Sequence, residues 1–276
     1  MLKKGYAKIN LALDVVRRRE DGYHELDMIM VPIALYDELD ITVNDYDELI
    51  CNNAELKCDN SNTIFKAINI IRNKYHIDTC FRVELTKHIP MQAGLAGGSA
   101  DGAAAIEALD ELCNLKLDLE TKLAIGKQVG ADVPFCIVSR SSRVKGIGEI
   151  ITSIEINQQI NLLLVKPKEG VSTQKAFTSL DFNNCIHPDI EKISDNIKNN
   201  KPFYHLLDNT LERVAIEITP VIEEIKNTLE TYHFDKVLMS GSGSCVFAIG
   251  NDEIINQAYE DLKDKYEFVA KTYVGH

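Results

Sequence analysis

The segment that most narrows what this chain can fold into is Pro90-Met91-Gln92-Ala93-Gly94-Leu95-Ala96-Gly97-Gly98-Ser99-Ala100-Asp101. Together with Gly102 it places four of the fifteen glycines within nine residues. It follows a strand-like run, Phe81 to Leu85, and leads into alanine-rich helical spacing from Ala103 to Leu112. Glycines let a ligand approach backbone amides without a side-chain clash. A helix start adds unpaired N–H groups and about half a positive charge. Together these make a phosphate cradle. The same glycines also suit a tight strand-to-helix connection, and on spacing alone both readings stand. A Walker loop is excluded because no G-x-x-x-x-G-K-[ST] is present, and the G-x-G-x-x-G spacing of a dinucleotide site is missing too.

Strand and helix patterns alternate from end to end, which gives an α/β or α+β class. Ala7, Ile9, Leu11, Leu13 and Val15 recur every second residue, putting Lys8 and Asn10 together on the opposite strand face. Further strands are predicted at Leu39–Val43, Phe135–Val138, Asn161–Val165, Val237–Met239, Cys245–Ile249 and Phe268–Tyr273. Helical spacing runs through Ile64, Ala67, Ile68 and Ile71, and again through Leu206, Leu207, Leu211 and Val214. Thr219-Pro220 marks a further helix start. Polar Asn157-Gln158-Gln159 precedes a fresh strand and sets the expected boundary between domains 1–158 and 159–276. Two more features carry chemistry. Asp132 is the ionisable residue of apolar Gly130-Ala131-Asp132-Val133-Pro134-Phe135, where it either acts chemically or caps the chain. Ser240-Gly241-Ser242-Gly243 follows an apolar strand as a hairpin turn or as a second wall of a phosphate pocket. Spacing alone does not bring Lys8 and Asp132 together, and a lysine in a strand commonly marks a solvated face.

The net charge, 30 − 42 = −12, argues against a general binder of nucleic acid or anionic membrane, since either needs a basic face. Cysteines at 51, 58, 80, 113, 136, 185 and 245 include no C-x-x-C pair, and the histidines are scattered. They read as reduced, packed thiols of a cytoplasmic protein, not a disulfide framework or a zinc site. No window reaches the roughly 18 apolar residues of a membrane span, and no signal-type apolar core follows Met1–Gly5.

Ala7-Lys8-Ile9-Asn10-Leu11, followed by Asp21-Gly22-Tyr23-His24, resembles the opening of one branch of the GHMP kinase superfamily (galacto-, homoserine, mevalonate and phosphomevalonate kinases). Pro90 to Asp101 resembles the family's ATP loop, Gly130 to Phe135 its catalytic segment, and Met239-Ser240-Gly241-Ser242-Gly243 its third motif. Order and spacing fit over most of the chain. The branch acts on a cytidine-diphosphate-linked sugar alcohol. The resemblance implies a two-domain α/β (α+β) fold with an S5-like N-terminal domain and the active site in the interdomain cleft. It implies transfer of the γ-phosphoryl group of ATP to the 2-hydroxyl of that substrate, a step of the non-mevalonate isoprenoid route. Asp132 then matches the general base and Lys8 its partner, and Pro90 to Ala100 match the ATP contacts. Magnesium is expected, although no motif supplies an acidic ligand for it. Tyr23 and His24 resemble residues that hold cytosine, Asn10 suits a polar substrate contact, and Val171-Ser172-Thr173 precedes the candidate second aromatic wall, Phe177.

Two departures stand out. Ser99 is followed by Ala100 where many members carry a second serine, which puts any contact from that hydroxyl in doubt. Ser244-Cys245 stands where proline and threonine or serine are common. Two rival readings remain: another GHMP kinase acting on homoserine, mevalonate or a sugar, and a non-enzymatic S5-like module for RNA or a nucleotide. The Tyr23-His24 pair opposes the first, and the acidic charge opposes the second. Expected partners are ATP and a small-molecule substrate, without nucleic acid or membrane, in a monomer or homodimer.

Overall fold

The computed structural model describes residues 1–276. The chain forms two compact units interleaved along the sequence. Unit 1 comprises Met1–Ala7, Leu35–Ile89 and Ala96–Ser139; unit 2 comprises Lys8–Ala34, Pro90–Leu95 and Arg140–His276. Two long strands, β1 (Leu2–Arg18) and β2 (His24–Asn44), contribute residues to both.

In unit 1, the end of β2 pairs antiparallel with β4 (Cys80–Thr86), which pairs parallel with β3 (Glu48–Cys51). Four helices complete it: α1 (Thr63–Tyr75), α2 (Gly97–Leu112), α3 (Leu119–Val129) and α4 (Val133–Val138). Helix α1 starts where the Asn62 side chain accepts from the Ile64 amide and ends at left-handed His76. Its apolar face, Ile64, Ala67, Ile68 and Ile71, joins Leu39, Ile41, Phe81, Val83, Ala104, Ala108 and Leu109 in one core.

Residues 135–138 are helical, not the strand their apolar run predicts. Pro134 in the first turn needs no N–H there, and Val133, Pro134 and Phe135 are buried. A short apolar run does not separate strand from buried helix by periodicity, and here the proline was the deciding signal.

In unit 2, β2 residues 26–30 pair antiparallel with β5 (Ser142–Gly146), followed by β6 (Ile150–Ser153). An antiparallel sheet in the order β10-β7-β9-β8 is built from β7 (Asn161–Lys166), β8 (Lys236–Met239), β9 (Val246–Ile249) and β10 (Phe268–Tyr273). Its helices are α5 (Thr173–Thr178), α6 (Ile190–Lys198), α7 (Glu212–Ile218), α8 (Val221–Glu230) and α9 (Asp252–Leu262). Helix α8 begins after Pro220, as its sequence predicts.

The helical spacing from Leu206 to Val214 is broken. A 3₁₀ turn covers Tyr204–Leu206, Leu207 is extended, and α7 starts only at Glu212. Between them the backbone pairs with β1: Leu13 N–H donates to Asp208 O and Thr210 N–H to Leu13 O. Those bonds replace the helical ones, so tertiary pairing overrides the local pattern.

All seven cysteines are free thiols. Only Cys245 is fully buried, and burial pushes its thiol up to about 12; Cys58 is exposed, contrary to the expectation of packed thiols throughout. No helix is long and apolar enough to cross a membrane.

Candidate active site

Strand β1 is buried on both faces from Ala7 to Leu13, so Lys8 does not lie on a solvated face. Lys8 is 4% exposed and Asn10 1%. The Lys8 ammonium donates to Asn10 Oδ1 at 2.8 Å, the strand-face pairing that the two-residue spacing implies. Lys8 N–H donates to Leu95 O, tying β1 to the glycine segment.

The two glycine elements meet within unit 2. Ser244 and Cys245 amides donate to Gln92 O and Ala93 O, and Ser240 Oγ donates to Gly94 O at 3.1 Å. Asn10 N–H points at the same Ser240 hydroxyl, 3.4 Å away. Gly94 has φ +73°, and a Cβ there would lie 2.0 Å from Ser240 O. Only glycine permits this approach. The turn after β8 is thus both a hairpin turn and a wall beside residues 90–95. Thr173 at the start of α5 joins it, with its hydroxyl 2.8 Å from Ser242 Oγ.

One residue of this site was not legible in the sequence. Asn209 is buried, its amide donates to Met239 O at 2.9 Å and Gly241 O at 2.8 Å, and its Oδ1 accepts from Leu211 N–H. It fixes the backbone of the third motif. The available signal was the polar triplet Asp208-Asn209-Thr210 inside apolar helical spacing.

In unit 1, α2 begins after Ala96, which is left-handed (φ 58°) and supplies no side-chain cap. The amides of its first turn therefore have neither an intrahelical partner nor a capping side chain, the arrangement that suits an anion. Ala100 is buried, and the Cβ position of Gly5 lies 3.3 Å from its methyl group. The side chain at 100 thus faces the interior, while Ser99 is half-exposed. Asp132 is half-exposed at the start of α4, following Gly130 at the end of α3. Asp132 and Lys8 belong to different units.

Asp21-Gly22 forms the expected bend: Tyr23 N–H donates to Asp21 Oδ1, Gly22 has φ +86°, and Tyr23 is 61% exposed. The ring packed against Phe177 is His24, with centroids 5.1 Å apart. Phe182, which the sequence did not single out, stacks on His24 at 6.1 Å and 16°. Burial, with a smaller effect from Arg18, holds the His24 imidazole below its ordinary range. The neutral ring's packing is thus intact above the ordinary imidazole value and is lost as pH falls through the depressed one. Substrate KM should stay flat from about pH 8 to about pH 6.5 and rise below that. The acid rise should vanish in His24→Gln, and its persistence there would assign it to another group.

No three His, Cys, Asp or Glu side chains converge on a metal position. Hard oxygen donors are nevertheless present in unit 1, the Ser99 hydroxyl and the Asp132 carboxylate. This fits magnesium, which is commonly held by one or two carboxylates with phosphates and water.

The family model of the GHMP kinases N-terminal domain matches residues 62–140, and that of the GHMP kinases C-terminal domain matches 183–267. The chain is 39% identical to the 4-diphosphocytidyl-2-C-methyl-D-erythritol kinase of Clostridium kluyveri, covering 99% of this chain and 100% of that one. It is 42% identical to the enzyme of the same name from Acetivibrio thermocellus, covering 95% and 94%. A crystal structure of 4-(cytidine 5'-diphospho)-2C-methyl-D-erythritol kinase superposes with a TM-score of 0.84 at 27% identity over 100% of both chains. A homoserine kinase from Cytophaga hutchinsonii, at 17% identity, 98% and 94% coverage and a TM-score of 0.73, shares the fold.

Proposed function

Because the chain belongs to the GHMP kinases, and among them to the 4-diphosphocytidyl-2-C-methyl-D-erythritol kinases, we propose that it transfers the γ-phosphoryl group of ATP to the 2-hydroxyl of 4-diphosphocytidyl-2-C-methyl-D-erythritol. The observation that carries this reading is the junction in unit 2, where residues 90–95, the third glycine motif, Asn10 and Thr173 converge. Family membership sets aside the non-enzymatic module.

In the reaction, the bond from the γ-phosphorus to the departing ADP oxygen breaks and a bond to the substrate oxygen forms. The hydroxyl proton passes to the Asp132 carboxylate. A base within hydrogen-bond reach of that hydroxyl contributes roughly 10²–10⁴-fold. The Lys8 ammonium offsets charge on the moving group. Amides of the segment from Pro90 to Ala100 receive the ATP phosphates, and Ser240 to Gly243 face the substrate's diphosphate. Magnesium, held by the Ser99 hydroxyl together with phosphate oxygens, would neutralise phosphate charge when bound. A cytoplasmic setting, where ATP is available, and a division near residue 158 belong to the same reading.

Tyr23, exposed at its bend, stacks on the cytosine ring, while His24 is backed by Phe177 and Phe182 and reads the base edge. Stacking of this kind is worth roughly 1–3 kcal/mol and does not distinguish cytosine from uracil. The edge contacts do, because the wrong base leaves them unpaired. Tyr23→Ala should raise KM for the cytidylyl substrate roughly 5- to 100-fold and leave KM for ATP unchanged. The uridine analogue should be a much poorer substrate in a coupled ADP-release assay. Equal turnover of both analogues, with homoserine or mevalonate accepted instead, would move the chain to another branch of the family.

A further inference from the structure

Both ends of the glycine segment are gripped in unit 1 by one buried ammonium. Lys87 follows directly after β4, two residues ahead of Ile89, where the chain leaves for residues 90–96. Its Nζ ion-pairs with Asp37 on β2 and, at 2.8 Å, with Asp101 on α2, and all three side chains are almost fully buried. Asp37 also accepts the amides of His88 (2.6 Å) and Ile89 (2.8 Å), which fixes the exit of the segment. At the other end, Lys87 Nζ lies 3.2 Å from the Cβ position of Gly97, the first residue of α2. Asp101 Oδ1 has no hydrogen-bond partner. Burial pushes the Asp101 carboxyl up to about 8, with Lys87 opposing and Asp37 assisting.

Such a cluster is a poor way to gain stability. Each buried charge carries a large desolvation cost, and apolar replacements of whole clusters are often neutral or stabilising. Its geometry instead joins β2, the exit of β4 and the first turns of α2, which are the elements that orient the amides at the start of that helix.

We propose that Lys87 is a positioning residue for the nucleotide: its side chain, bridging Asp37 and Asp101, holds the two ends of the glycine segment in the register at which the amides from Gly97 to Ser99 meet ATP phosphates. This rests on the kinase reading above. A misplacement of about 1 Å at such a site is worth on the order of 10²-fold in rate.

The test is Lys87→Met/Asp37→Asn, which removes the bridge without stranding a charge, since the carboxamide at 37 still accepts both backbone amides and burial favours the neutral Asp101 carboxyl. The expected result is a melting temperature near wild type, KM for ATP raised at least about 10-fold, and KM for the cytidylyl substrate within about twofold. A purely structural role would lower the melting temperature or the active fraction and leave KM for ATP unchanged. Asp101→Leu alone, which breaks the leg to α2 and leaves Lys87 paired with Asp37, serves if the double variant does not fold, with a severalfold rise in KM for ATP expected. Unchanged KM for ATP in a folded variant of a wild type that turns over ATP overturns the role of Lys87 alone. A wild type with no ATP-dependent phosphorylation overturns the kinase reading and this inference with it.

Discussion

Asp132→Asn should lower kcat by at least about 10²-fold, with the melting temperature and KM for ATP expected to stay close to wild type. The substitution preserves shape and removes the carboxylate charge together with the ability to accept a proton. Asp132 is half-exposed at the head of α4, and the residues after it, Val133, Pro134 and Phe135, are buried and apolar. The Asp132 side chain makes no capping hydrogen bond to its helix. A capping role is therefore not what the variant would disturb. Steady-state kinetics on the folded variant check this, and turnover near wild type would remove Asp132 from the mechanism. Lys8→Ala should likewise reduce kcat. If it changes thermal stability alone, Lys8 serves the strand and not the reaction.

Gly94→Ala should be the most damaging single-methyl change in the chain. The new Cβ would stand 2.0 Å from Ser240 O, 3.0 Å from the carbon of that carbonyl and 3.2 Å from Gly243 N. The carbonyl cannot simply swing aside, because it accepts the Gly243 amide at 3.0 Å. The left-handed conformation adds about 1 kcal/mol for any residue with a Cβ. Parting the two glycine elements should cost about 3 kcal/mol or more and abolish ATP-dependent turnover. Two other glycines provide controls. Gly22 has φ +86° with nothing within 4 Å of its Cβ position, so Gly22→Ala should show the conformational cost alone. Gly98 has only Thr63 Oγ1 within reach, at 3.9 Å, so Gly98→Ala should leave stability nearly unchanged. Thermal melts and ATP kinetics on the three variants decide the matter, and a Gly94→Ala protein as stable as Gly98→Ala would refute the close approach.

The chemistry of this protein was legible where local order along the chain is itself the signal. Alternation from Ala7 to Val15 placed Lys8 and Asn10 on one strand face, and their side chains are 2.8 Å apart. The glycine run before an alanine-rich helix marked a helix start without a side-chain cap. Asp21-Gly22 marked the bend that carries Tyr23. These features depend on backbone period and turn chemistry, which act over a few residues.

Other features were decided only by tertiary structure. The apolar run from Phe135 to Val138 is compatible with strand or helix, and burial beside Pro134 made it a helix. The spacing from Leu206 to Val214 favours one helix, but bonds to Leu13 from the far end of the sequence divided it and freed Asn209 to hold the third glycine motif. Phe182 and the Lys87–Asp37–Asp101 cluster left no periodic trace at all. The physical reason is common to all of them. Periodicity records which way a side chain points from its own element, whereas a site is assembled from residues far apart in sequence. The sequence alone therefore settled the class of fold, the motifs and the chemistry available to them, and only packing decided which of those groups meet.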